Sequence, residues 1–165
     1  MEVQADIERK DLVALSLYLF PRHRSNWILL GVLIIGIFVF IMVLRKPTST
    51  YNIGAAAFAS VVGGLGGLLA GYAFSLLRML LTLGRRSGVL GKHDYSLTEE
   101  GLREVTEVND SLQKWNGIQD IIALPRYIFF RINGYLFHVI PRRAFASEEQ
   151  FYAFTEKARA LREAA

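Results

Sequence analysis

The sequence predicts an α+β membrane protein: a two-helix transmembrane hairpin plus a small antiparallel β domain closed by a C-terminal helix. Three observations predict it. Two apolar runs without a charged residue, Trp27 to Leu44 and Ile53 to Leu77, are each long enough to cross a hydrocarbon core at about 1.5 Å per residue. Asn133 and Gly134 stand between two apolar runs, the signature of a tight β-hairpin. Ser147 with Gln150 three residues later forms a capping box at the head of a final amphipathic stretch.

Residues 1–26 are expected to form a cytoplasmic N-terminal strand and an apolar helix. Val3, Ala5 and Ile7 alternate with Gln4, Asp6 and Glu8, a strand pattern. Asp11 then opens an apolar stretch, Leu12 to Phe20, which Pro21 terminates. This helix either lies in a membrane interface or packs on the soluble domain, and the residues leave both open.

The first span is assigned to residues 27–44, the external link to 45–52 and the second span to 53–77. A cleaved signal peptide fits the first run poorly, because the run exceeds a signal core and four acidic residues precede it. The link is too short for anything but an antiparallel hairpin. Arg9, Lys10, Arg22 and Arg24 precede the first span and Arg78, Arg85, Arg86 and Lys92 follow the second, against only Arg45 and Lys46 in the link. The positive-inside rule therefore places both termini in the cytoplasm.

Within the second span Ala55, Ala59, Gly63, Gly67, Gly71 and Ser75 recur every four residues along one helix face. Small residues at this spacing allow close helix packing, either on the first span or on a second copy of the chain.

Residues 88–165 read as a cytoplasmic β-rich domain. Tyr95 to Leu97, a turn at Thr98 to Gly101, and Leu102 to Val108 form a first hairpin, and Leu112 to Trp115 a third strand after an Asn109–Asp110 turn. Ile118, Ile121 and Ile122 have helical spacing, with an apolar strand as the alternative. A two-residue loop at Asn133–Gly134 would pair Ile132 with Tyr135, Phe130 with Phe137 and Ile128 with Val139, making that face core. Arg131, Leu136, Phe129 and His138 would take the opposite, mixed face. The final helix presents Phe151, Phe154, Ala158 and Leu161 for packing.

Trp115 followed by spaced isoleucines, an aromatic strand, a hairpin, and then Ile140, Pro141, Arg142, Arg143, Ala144 and Phe145 ahead of Ser147, Glu148 and Glu149 resembles the YcxB-like family of small bacterial membrane proteins. The motif runs from Trp115 to Phe151, and Gly117 departs from the acidic or polar residue expected there. The resemblance implies the two-span topology, the bacterial inner (plasma) membrane and this fold, and it carries over no catalytic residue. Antiparallel strands closed by a C-terminal helix also resemble a pleckstrin-homology barrel at the level of fold.

The formal charge is +4, but residues 1–87 carry nine Lys or Arg against four Asp or Glu, and residues 88–165 ten against eleven. The excess flanks the apolar runs, which speaks for topology and against nucleic acid as a partner. The absence of cysteine excludes thiolate metal sites, disulfides and cysteine nucleophiles. His23, His93 and His138 are too widely spaced for a zinc motif, and the glycines at Gly63 to Gly67 lack the lysine of a phosphate loop.

No catalytic, cofactor-binding or metal constellation assembles from these residues, so no enzyme is expected and no cofactor. The candidate contacts with anionic headgroups are Arg85, Arg86 and Lys92, and the candidate anion or partner surface is Arg142 and Arg143, with Arg126 and Arg131 near in sequence. The expected function is that of a membrane-anchored cytoplasmic binding or regulatory module. The alternative is an accessory subunit of a membrane enzyme or transporter. Expected partners are membrane lipids and a second copy of the chain or another membrane protein.

Overall fold

The structure, a computed structural model, describes residues 1–83, 88–134 and 136–165. Two units divide the chain. One joins Met1–Leu15 to Leu83–Ala165, and the other is Ser16–Thr82.

In the first unit the N-terminal strand β1 (Glu2–Ile7) pairs antiparallel with β2 (Gly91–Leu97), so the sequence inserts a long helical segment between two neighbouring strands. β3 (Gly101–Val105) and β4 (Asp110–Lys114) complete a sheet ordered β1-β2-β3-β4. A second sheet is ordered β5-β6-β7, from β5 (Asp120–Leu124), β6 (Tyr127–Arg131) and β7 (Phe137–Pro141), and helix α4 (Glu148–Glu163) follows. The alternation read at residues 2–7 is real: Val3, Ala5 and Ile7 are buried and the residues between them are exposed.

The turns follow local chemistry. Thr98 accepts the Gly101 amide through Oγ1 at 3.1 Å and closes the β2–β3 turn. Gly101 is required by close approach, because a β-carbon there would run into the Gln113 carbonyl on β4. The isoleucines after Trp115 resolve as a short 3-10 turn at Trp115–Gly117 and then a strand, not a helix, since Ile121 pairs with Phe130 and Ile122 with Phe129.

The core gathers β1, β2, β3, one face of the second sheet, and α4. Trp115, Ile128, Phe130, Ile140, Phe151 and Phe154 are all at most 1 % exposed, and burying each is worth roughly 1.5–3 kcal/mol. Trp115 Nε1 donates to the Thr98 carbonyl at 3.0 Å, so its one polar group is satisfied. The Ser147 side chain accepts the Gln150 amide at 3.2 Å, as the capping box requires, and Gln150 accepts the Ala146 amide at 2.8 Å. Phe151, Phe154 and Ala158 pack inward, and Leu161 borders the core.

The hairpin register differs from the expected one by one residue. Phe130 pairs with His138, Ile128 with Ile140 and Phe129 with Val139. Asn133 accepts the Leu136 amide through Oδ1 at 3.0 Å and Ile132 donates to the Leu136 carbonyl at 2.9 Å, which makes a three-residue loop. Because side chains alternate, this shift turns β7 over: Ile140 and His138 join Phe130 on the core side, while Phe137 does not. The expected pairing of Tyr135 falls outside the described residues.

In the second unit, α2 (Arg24–Arg45) and α3 (Thr50–Thr82) form an antiparallel pair of helices long and apolar enough to cross a membrane, with mean hydropathies of 3.1 and 1.8 over an 18-residue stretch of each. Both exceed the runs 27–44 and 53–77. α2 ends on Lys46, whose left-handed backbone (φ 44°) lets its amide bond the Met42 carbonyl at 3.1 Å. The seam against α2 runs along Ala56, Ser60, Gly64 and Leu68, one residue on from the expected stripe. A β-carbon on Gly64 would stand 2.6 Å from Ile34 Cγ1, whereas one on Gly67 would meet Leu33 at 3.8 Å and one on Gly71 nothing. Gly63 and Gly67 therefore flank the seam, and Ala55, Ala59, Gly71 and Ser75 are exposed. The four-residue period was legible on the neighbouring row too, where the smallest residue, Gly64, meets the closest backbone approach.

Helix α1 (Arg9–Leu19) belongs to both units, the division falling between Leu15 and Ser16. Leu12 packs on the β-rich core. In the other unit the Tyr72 hydroxyl meets Ser16 Oγ at 3.1 Å, and the Phe20 and Tyr72 rings lie 4.1 Å apart. The start of this helix thus takes the expected place against the β-rich unit, and its end meets α3.

Candidate functional site

Two polar clusters sit in the β-rich unit. The first lies where β7 ends. Pro141 closes the strand and Arg142–Ala144 form a 3-10 turn, which carries the chain to the α4 cap at Ser147. Beside it are the β5–β6 turn, with Arg126 and Tyr127, and Lys10 from the start of α1. Together these segments line an open cavity of about 450 Å³ whose charged lining residues are Lys10, Arg126, Arg142 and Arg143, with no acid among them.

Arg143 is the most constrained of the four. Its Nη1 and Nη2 donate to the two carboxylate oxygens of Asp11 at 2.6 Å each, and Nη2 also reaches the Asp6 carbonyl at 2.8 Å. Asp11 is fully buried, and its Oδ2 accepts the Glu8 amide at 2.7 Å, capping the first turn of α1. Burial pushes the Asp11 carboxyl up, but the Arg143 hydrogen bonds outweigh it, with help from the Glu8 amide, the Arg143 charge and the Tyr127 hydroxyl. The carboxyl lies below the usual range. This pair fastens β1 and α1 to the end of β7.

The remaining cations are looser. Lys10 reaches Glu8 at 2.9 Å and Arg142 reaches Glu148 at 3.0 Å, both between exposed side chains. Exposed pairs of this kind exchange partners at little cost. Arg126 is exposed and makes no ion pair among the described residues. The cavity can thus offer Arg126, Arg142 and Lys10 to an anion while Arg143 holds its frame.

Of the residues singled out from sequence, the structure brings Arg142, Arg143 and Arg126 together and adds Lys10. Arg131 is elsewhere, 3.6 Å from Asp120. Lys92 is exposed on β2 and lines a separate cavity with residues of the β1–α1 junction and of Thr106 to Val108. Arg85 and Arg86 lie outside the described residues.

The second cluster was missed. Glu104 on β3 is largely buried, and its Oε1 lies 2.9 Å from His93 Nδ1 on β2 and 3.3 Å from His138 Nδ1 on β7. The Tyr95 hydroxyl is 3.5 Å from His93 Nδ1. Burial pushes the Glu104 carboxyl up, and the hydrogen bonds of His138 and His93, the charge of His138 and the Tyr95 hydroxyl outweigh this, holding it far below the ordinary range. Burial, then the charge and hydrogen bond of Glu104, push the Tyr95 phenol well above its usual value. Half of this was available: the Thr98–Gly101 turn pairs Leu97 with Leu102, and alternation then puts Tyr95, His93 and Glu104 on the core side. His138 was lost to the register. No group of three or more His, Cys, Asp or Glu placed to hold a metal ion occurs among the described residues.

Residues 97–158 match the family model of YcxB-like protein, which spans β3 to most of α4 and contains Trp115 to Phe151. No curated protein and no solved structure matches the chain.

Proposed function

We propose that this chain is a membrane-anchored binding or regulatory module without catalysis of its own, whose helix pair crosses the bacterial inner membrane with both termini in the cytoplasm. The β-rich unit follows the plan of a pleckstrin-homology barrel, four strands against three and a closing helix, and binds an anionic group in the cavity of Lys10, Arg126 and Arg142. The observation that carries this reading is the insertion of two long apolar helices between the adjacent strands β1 and β2. A domain built that way is tied to its anchor through both β1 and β2, so whatever it binds is held close to the membrane. The basic flanks of the two spans support the cytoplasmic side. The exposed row of Ala55, Ala59, Gly71 and Ser75 leaves room for a second copy or another membrane protein.

The test uses the full chain in nanodiscs of phosphatidylcholine, titrated with inorganic phosphate and with a soluble short-chain phosphatidylglycerol. Binding of either, weakened roughly tenfold by Arg126→Glu, is the expected result. Binding that this variant leaves unchanged removes the cavity from the reading. A C-terminal reporter active only outside the cytoplasm overturns the topology.

A further inference from the structure

We infer that His93, Glu104 and His138 form a proton-operated latch between the two sheets, closed at neutral pH and loosened by mild acid. His93 and Glu104 belong to the four-stranded sheet and His138 to the three-stranded one, so the carboxylate ties both sheets through a single oxygen. The side chains of His93, Glu104 and His138 are only 6 %, 13 % and 15 % exposed, which denies them the solvent that would otherwise screen their charge.

β2 contributes His93 and the Tyr95 phenol, β3 contributes Glu104, and β7 contributes His138. The residues opposite them on neighbouring strands are Ala5 and Val3 on β1, Ser111 on β4 and Phe130 on β6, none of them ionisable. One carboxylate balances one imidazolium. A second imidazolium in the same site has no counter-charge, and an uncompensated charge of low exposure is strongly disfavoured. The carboxylate cannot absorb that proton, because its hydrogen bonds keep it ionised well into acid. Acid therefore loads the site with an excess positive charge, and separation of β7 from β2 and β3 relieves it.

The experiment follows urea unfolding of the full chain in detergent between pH 8 and 5. A Trp27→Phe background leaves Trp115, in the β-rich core, as the fluorescent reporter. The unfolding constant should rise by about tenfold per pH unit across the latch transition, the slope of one extra proton taken up on opening. His138→Asn and His93→Asn keep an N–H donor near the Nδ1 position and remove the second charge. Each should reduce the dependence to less than about twofold over the same range, while His23→Asn leaves the wild-type slope. Glu104→Gln should move the loss of stability to higher pH, since even the first imidazolium then lacks a partner. Wild-type slope retained in both His138→Asn and His93→Asn, or no slope in the wild type, overturns the inference. If the variants do not fold, an NMR titration of the wild-type rings decides. Two separated, coupled steps support the latch, and two independent steps with a common midpoint refute it.

Discussion

Arg143 grips both carboxylate oxygens of Asp11 at 2.6 Å, although 132 residues separate the two in the chain. The contact closes β1 and α1 onto the strand-to-helix junction after β7. It also explains why a buried aspartate can open an otherwise apolar helix: the charge is matched by a planar fork and by the Glu8 amide.

Asp11→Asn should destabilise the β-rich unit by roughly 2 to 4 kcal/mol, somewhat less than breaking a fully buried pair, because Arg143 keeps partial exposure. Arg143→Lys should cost less but remain measurable, since an ammonium cannot serve both oxygens at once. The Asp11 carboxyl is lowered in the folded state. Its contribution is therefore fully present above the ordinary aspartate value of about 4 and is lost as pH falls below it. Urea unfolding read from Trp115 checks all three, and an Asp11→Asn variant as stable as the parent refutes the clamp.

Gly64→Ala should loosen the α2–α3 pair by about 1 to 3 kcal/mol, because the new methyl meets Ile34, side chain and backbone together. Gly71→Ala, with open space around it, should leave the pair intact or slightly firmer. Denaturation in mixed detergent micelles distinguishes them. Equal behaviour of the two variants places the seam elsewhere.

The absence of native cysteine makes the hairpin register directly testable by cross-linking. Arg131 and Phe137 are paired, and next to them Ile132 donates to the Leu136 carbonyl, so 131 and 137 form the close, non-hydrogen-bonded kind of pair. The double variant Arg131→Cys, Phe137→Cys should oxidise readily to a disulfide, and Arg131→Cys, Leu136→Cys far more slowly. The reverse order restores a two-residue loop.

Arg126→Ala should change stability by no more than about 0.5 kcal/mol, as expected of an exposed residue with no ion pair among the described residues. Its effect should appear in anion binding instead, and the binding it does retain should weaken as salt is added. A large loss of stability in this variant would make Arg126 a structural residue.

Where the determining chemistry is local, the sequence was sufficient. Ser147 and Gln150 cap α4, Phe151, Phe154 and Ala158 face the core, and the β2–β3 turn falls at Thr98 to Gly101. Two apolar runs separated by a short link became two antiparallel helices. Each of these follows from side chains a few residues apart, whose spacing alone specifies the hydrogen bonds or the apolar face.

The tertiary structure decided what depends on a partner distant in the chain. An Asn–Gly pair suits a two-residue turn, yet the loop takes three residues, and the register it sets brings Ile140 to the core and His138 to Glu104. One residue of slip reverses every side chain on a strand, so burial against β3 and α4 chooses between loops that differ little in local preference. The pairing of β1 with β2 across the helical insertion, the Asp11–Arg143 pair and the choice of Gly64 for the helix seam have the same origin. Periodicity marks which residues share a face; only the packed partner determines which face is used.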